Sequence, residues 1–455
     1  MPPNTPEKMR TPPPPLDGEL RFDEATRNGR ADDFGHIVHH MPEGVLLPGS
    51  ADDVAKTIQW AAPRGGRFAP QGQRHSTFGR SQVPSGIVAD MSTLRYIGPV
   101  EGDRVVVEAG ATWSDVLRAT LAQGKTPPVL TDYLELSVGG TLIVGGVGVT
   151  TSAFGVQSDN VIDMEVATGE GKKVTCSASI NADLFNAVRA GLGQVGVITK
   201  ATLKLVAAPE SVRRYLLAYP DLATMLRDER LLSADNRFEA VQGAVVGAPS
   251  GGLAFRLDAA KNFNGDPPDD NVLLAGLSDD PAQRQPTTIG YFDYLNRFAA
   301  FEVALRANGQ WFFPHPWLMT FIGDSQVESV VNAELDALNP AMDLGPFGQV
   351  ALVPIRRSAI CSPLLRMPAD DLCYAFNLVR IPATNDANEA NRLVGANKAT
   401  YGRVKAAGGT LYPVSAFPMS KGEWRDHFGS AFGQLDATKQ QYDPDEILTP
   451  GYEIF

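Results

Sequence analysis

Three stretches of the chain gather residue types that could do chemistry. Gln71-Gly72-Gln73-Arg74-His75-Ser76 sets an imidazole and a hydroxyl where a strand ends in a glycine-bearing turn. Such a turn can present backbone N–H groups to phosphate oxygens, although a single loop histidine is more often a surface or capping residue. The run Thr131-Asp132-Tyr133-Leu134-Glu135-Leu136-Ser137-Val138-Gly139-Gly140-Thr141 places Asp132 among apolar residues. A desolvated carboxylate there would have a raised pKa suited to a general base. An Asp in a turn can equally bond its own backbone. Gly191-Leu192-Gly193-Gln194-Val195-Gly196 has the G-x-G-x-x-G spacing of a dinucleotide fingerprint, which needs a strand before it and a helix after it. Here a helix over 183–190 precedes and a strand over 197–205 follows. A Rossmann site is therefore rejected, and the glycines are left to a helix C-cap and to close backbone approach to a flat ligand.

Other chemistries find less support. No G-x-S-x-G elbow accompanies a serine nucleophile. His36 and His40 stand at H-x-x-x-H spacing, but Ile37 occupies the position where a zinc protease carries Glu. Cys176, Cys361 and Cys373 are too few and too scattered for a zinc site or a disulfide framework. No metal is expected.

The elements that must position these groups can be read from pattern. Val45 to Pro48 forms a short strand. Ser50 then caps a helix, with Asp53 three residues on in a capping-box variant and Val54, Ile58 and Ala61 as the apolar stripe. A strand over 67–69 leads into the His75 loop. Further strands fall over 87–90, 105–109 and 161–167, with a helix over 111–122. From 211 to 409 the texture changes. Helices over 222–232, 325–338 and 385–407 alternate with strands over 241–246 and 374–381, as in an antiparallel sheet backed by helices. Residues 264–270 and 276–286 read as polar loops, and the tail from 411 is rich in turns. Residues 1–34, opened by a proline run, read as a disordered or extended arm.

Composition bounds the answer. The 455 residues exceed one core, which stops growing at roughly 250–300, so two or three domains are expected. A hydrophobic content of 43% excludes wholesale disorder, and a net charge of −12 argues against general nucleic-acid binding. The 44 Gly and 34 Pro exclude an all-helical protein. No apolar run is long enough to cross a bilayer, and no signal-peptide h-region opens the chain, so a cytoplasmic protein with no membrane partner is expected.

Taken together, the His75-Ser76 loop, Ser137-Val-Gly-Gly-Thr141 and Gly191-Leu-Gly-Gln-Val-Gly-Val-Ile-Thr199 resemble the FAD domain of the vanillyl-alcohol-oxidase and p-cresol-methylhydroxylase type. More narrowly, the chain resembles the cytokinin dehydrogenases. That resemblance is carried by Thr131-Asp132-Tyr133, Tyr291-Phe-Asp-Tyr-Leu-Asn-Arg297, Pro314-His315-Pro316-Trp317-Leu318 and Glu423-Trp424 with His427-Phe428-Gly429. The ending Tyr442 to Phe455 carries it as well. The resemblance implies an α+β protein: a two-lobed FAD-binding domain from 35–209 and 410–455, and a substrate domain over 210–409 with an antiparallel sheet flanked by helices.

It also implies roles. His75 would bond covalently to the flavin 8α-methyl. Gly72 and Ser76 would lie at the pyrophosphate or the ring, and Ser137, Thr141, Ile143, Val147, Ile198, Tyr412, Thr449 and Tyr452 at FAD-contacting positions. Val147 and Ile198 read equally as core, and Tyr412 as packing. Asp132 would take a proton from a secondary amine of an N6-isoprenoid adenine while hydride passes to the flavin. The imine would hydrolyse to adenine and an aldehyde, and a quinone-like acceptor or oxygen would reoxidise the flavin. Gln242, Trp317 and Leu318 would face the substrate. Four positions depart from the family pattern. Arg74 replaces the Gly before the flavin-bearing His, Arg80 a Gln four residues after the Ser, Gln242 a Glu at the pocket mouth, and Tyr452 the last Gln. Arg74 and Arg80 would either contact the FAD phosphates or reshape the site. The rival readings are a flavoprotein oxidase of an alcohol, sugar or lactone, and a non-catalytic flavin-containing purine binder.

Overall fold

The computed structural model describes residues 12–248 and 251–455. Three large sheets, beside a two-stranded pair of Lys125–Thr126 with Val206–Ala207, divide it. In the first, Gly44–Leu47, Gly86–Asp90 and Arg67–Gln71 run parallel, and Glu19–Arg21 pairs antiparallel on the outer edge. Val45, Leu46, Phe68, Ile87 and Val88 are fully buried, as expected of parallel strands covered on both faces. The helix Ala51–Ala61 covers one of those faces with Val54, Ile58 and Ala61.

That helix starts after Ser50, but the expected capping box does not form. The Ser50 hydroxyl donates to Asp17 (2.8 Å). The buried Asp53 carboxylate instead accepts from the N–H groups of Asp17, Gly18 and Gly49, at 2.9, 2.7 and 2.8 Å. The expected arm is corrected by the same contacts. Its residues 1–11 lie outside the described residues, but the remainder is built into the lobe as a strand, the helix Glu24–Asn28 and the buried Phe34. Apolar periodicity could not show this, because what anchors the segment is a distant carboxylate.

The second sheet is antiparallel, in the order Ile97–Glu101, Arg104–Glu108, Val197–Lys204, Val161–Ala167, Lys173–Ser177. The helix Ala182–Val188 enters the Gly191–Gly196 turn and the strand Val197–Lys204 leaves it, the reverse of a dinucleotide fold. The third sheet has eight antiparallel strands. Helices Leu222–Asp235, Asp324–Ala337 and Ala387–Ala406 lie side by side on one face of it. Its last strand is Thr410–Leu411. The chain then returns to the first sheet, where Leu448 bridges Phe68, behind a buried Lys439–Asp443 pair at 2.7 Å. Among the described residues no helix is long and apolar enough to cross a membrane.

Between the large sheet and its helices, Glu229 is fully buried, with its carboxylate against the backbone of Gly243. Burial pushes its carboxyl up to about 8. The unfolded chain releases this proton near the ordinary value of 4.5 and the folded chain does not. Stability therefore falls as pH climbs between the two values, by about 1.4 kcal/mol per unit. Glu229→Gln removes the titration. The melting temperature of the wild type should fall relative to this variant between pH 6 and pH 8; parallel curves would show that Glu229 does not titrate there.

Candidate active site

A cavity of about 350 Å³ runs from the His75 loop to the face of the large sheet that carries no helices. It is lined by Gly72, Arg74, His75, Ser76, Arg80, Asp132, Ser137, Thr141, Ile143, Val147, Gln242, Trp317, Tyr412, Thr449 and Tyr452. Two residues expected there are absent from its walls. Ile198 points into the core beneath the five-stranded sheet, and Leu318 is fully buried in the same cluster. Alternation along the strand explains the second: Met319 faces the cavity, so its neighbour Leu318 faces the helices.

The His75 loop is held from outside itself. A Cβ on Gly72 would collide with the Ser137 hydroxyl, so only glycine fits against the start of the helix Val138–Leu142. Arg74 adopts φ 57°, the left-handed region, and its guanidinium donates to the Gly29 carbonyl at 2.7 Å. Phe34 stacks on His75 with centroids 4.0 Å apart, and Tyr133 stacks on it at 4.8 Å. Burial, with the nearby His315 and Arg306, lowers the His75 pKa to about 3, so the imidazole is neutral. Among the described residues the N–H groups of Gln73, Arg74, His75 and Ser76 donate to no protein acceptor.

Asp132 neither stands alone in an apolar setting nor bonds its own turn, which corrects both sequence expectations. Its carboxylate pairs with Arg297 at 2.6 Å, and the guanidinium lies over the rings of Tyr294 and Phe298 at 4.6 and 5.1 Å. The next residue, Tyr133, donates to Glu302 (2.7 Å), which also takes a bond from Arg306 (2.7 Å). The segment 297–306 therefore spans the cavity mouth and grips 132–133. Opposite, the sheet face offers Met319, Ala351, Val353, Ala375 and Val379, interrupted by the carboxamides Gln242, Gln349 and Asn377. The Asn377 side-chain oxygen is buried with no partner. Trp311 and Trp317 wall the side, the latter fixed by a bond to the Arg380 carbonyl at 2.9 Å.

Comparison with known proteins agrees with this geometry. Residues 42–177 match the model of an FAD-binding domain, and residues 249–455 match that of "Cytokinin dehydrogenase 1, FAD and cytokinin binding". An uncharacterized oxidoreductase in the fasciation locus of Rhodococcoides fascians is 38% identical over 96% of this chain and 99% of its own. Cytokinin dehydrogenase 10 of Oryza sativa subsp. japonica is 32% identical over 96% of this chain and 88% of its own. The chain belongs to the cytokinin dehydrogenase family. It is an FAD-dependent oxidoreductase of that type with a small-molecule substrate. Among solved structures, 6-hydroxy-D-nicotine oxidase from Arthrobacter nicotinovorans shares the fold, with a TM-score of 0.75 at 18% identity over 98% of this chain and 99% of its own.

The residues present fit FAD. Four consecutive free N–H groups suit a diphosphate. Among the described residues the buried Arg80 guanidinium donates to the carbonyls of Phe417 and Gly451, at 2.8 and 3.3 Å, and its Nε has no partner. It brings a positive charge to the cavity wall, with Tyr452, Glu453 and Asp33 nearby. The departures from the family pattern also gain a physical account. Arg74 takes a backbone conformation that glycine adopts freely, at a cost of about 1–2 kcal/mol. Arg80 and Tyr452 lie together, the guanidinium 5.1 Å from the ring centre, so these two departures are neighbours in space.

Sequence reasoning missed Asp33, Phe34, Arg297, Glu302, Trp311 and Asn377. Arg297 stood inside a recognised run but received no role, and Asp33 and Phe34 fell within the supposed arm. Because Gly72 rests on Ser137, Gly72→Ala should cost about 1–3 kcal/mol by overpacking and lower the flavin bound per protein. Adding Ser137→Gly should restore both. The check is flavin absorbance against protein content; a yellow, equally stable Gly72→Ala protein would contradict the close approach.

Proposed function

We propose that the chain oxidises the secondary amine of N6-isoprenoid adenines, giving an imine that hydrolyses to adenine and an aldehyde. The reading is carried by the cavity floor. It is apolar, its polar side chains are neutral carboxamides, and Asp132 lines the same cavity. A planar, neutral nitrogen heterocycle with an apolar tail suits such a surface. A sugar would need several groups able to bond hydroxyls. The names carried by the family relatives support the same substrate class.

Asp132 accepts the amine proton, and Arg297 holds its carboxylate at the mouth of the floor. Gln242 offers its side-chain oxygen to a ring N–H, a weaker acceptor than the Glu of the family pattern. Trp311 and Trp317 confine the ring from the side. FAD, bound through the His75 loop and linked covalently to His75, supplies the hydride acceptor. A quinone-like compound, or oxygen more slowly, would take the electrons onward.

Mixing the purified protein anaerobically with isopentenyladenine should bleach its oxidised-flavin absorbance. Asp132→Asn should stay yellow and bleach about 10²–10⁴-fold more slowly. A wild-type protein that bleaches only with an alcohol or sugar would overturn the substrate class. The unpartnered Asn377 oxygen should receive a substrate N–H. Asn377→Leu should therefore raise KM about tenfold, the worth of one hydrogen bond, with little change in kcat. An unchanged KM would place the ring elsewhere on the floor.

A further inference from the structure

We propose that Asp33 is a positioning residue for the attachment of flavin to His75, holding the loop on both sides of that histidine so that its ring faces the cavity. The inference rests on the reading that His75 carries the flavin.

The contacts are specific to the flanks of His75. Asp33 is 2% exposed. Its Oδ2 accepts from the Ser76 hydroxyl and from the Gly79 N–H, both at 2.7 Å, and its Oδ1 accepts from the Gly35 N–H at 3.1 Å. The two following residues bond the same loop: the Phe34 N–H donates to the Arg74 carbonyl (2.8 Å) and the Gly35 N–H to the Ser76 carbonyl (3.1 Å). A Cβ on Gly35 would strike the Thr77 carbonyl, so the two segments lie in direct contact. Residues before and after His75 are thus tied down.

His75 itself is treated differently. Among the described residues no hydrogen bond reaches its ring nitrogens; the ring is guided by stacking on Phe34 and Tyr133 and by the nearby rings of Trp311 and Trp317. An imidazole that must form a bond needs a free nitrogen lone pair, so its direction has to come from the backbone that carries it and the rings beside it. Phe34 is pinned in turn from the substrate domain. His315 stacks on it at 4.0 Å, and its Nδ1 lies 2.9 Å from the Phe34 carbonyl.

Attachment joins an imidazole nitrogen of His75 to the flavin 8α-carbon. The imidazole N–H and one 8α C–H each lose a proton. The two electrons left behind enter the flavin ring and pass to dioxygen, giving hydrogen peroxide. Asp33 makes no bond to the reacting atoms and acts through Ser76, Gly79 and Gly35. A purely structural Asp33 would change folding alone, whereas a positioning Asp33 changes how much of the bound flavin becomes covalent.

The test compares purified holoproteins of the wild type and Asp33→Asn after acid precipitation. Flavin absorbance is read in the pellet and in the supernatant. Wild type should keep its flavin in the pellet. Asp33→Asn should bind a similar total amount before acid, yet show at least a tenfold lower ratio of pellet to released flavin. Full retention by Asp33→Asn overturns the proposal. Should that variant fail to fold, Asp33→Ser carries the same comparison; failure of both to accumulate with flavin also overturns it, since Asp33 would then serve folding. Release of flavin by the wild type overturns the His75 linkage itself, an outcome visible before any variant is made.

Discussion

Four adjacent N–H groups, from Gln73 to Ser76, point away from every protein acceptor described. They make no hydrogen bond within the loop, so the loop cannot owe its shape to its own hydrogen bonds. Its shape comes from its surroundings. Asp33 and Gly35 hold it from the N-terminal side, Ser137 leaves room for Gly72 alone, and Arg80 ties the end of the loop to the returning C-terminal segment. Much of the first sheet and its additions serves to keep a polar, strained turn ready for an anionic partner.

The same logic applies at the other end of the cavity. A carboxylate beside an apolar floor needs a counter-charge, and Arg297 provides it at 2.6 Å while resting on two aromatic rings. Removing one member of such a pair leaves the other uncompensated, at about 3–5 kcal/mol for a fully buried case. The partial exposure of Asp132 makes the cost here smaller. Tyr133 and Glu302 repeat the contact one residue on. The segment at the mouth is therefore fastened to Asp132 and Tyr133, which ties the cavity wall to that carboxylate.

How much of this was legible in the sequence depended on the range of the interaction involved. Elements defined by local period appeared where expected, among them the strand Val161–Ala167 and the helix Ala387–Ala406. The helix-then-strand order around Gly191 correctly excluded a dinucleotide fingerprint. The His75 loop and Asp132 were visible because glycine and apolar context mark them, and the family resemblance drew most of the cavity wall with them. Ile198 and Leu318 failed because a motif position does not say which way a side chain faces. Asp33, Phe34 and Arg297 were not legible because their partners lie tens to hundreds of residues away: 43 positions for Asp33 to Ser76 and 165 for Arg297 to Asp132. The proline-rich opening then biased the reading of everything before Gly35 toward disorder.

The pairing of Phe68 with Leu448 has a consequence for the order of events during synthesis. The strand Arg67–Gln71 leaves the ribosome early, but Leu448, which bridges its outer edge, is made long after it. The stretch from 210 to about 411, by contrast, is continuous and contains every strand of its own sheet. That middle portion can finish folding while translation continues. The N-terminal portion keeps that edge open until Leu448 has been made.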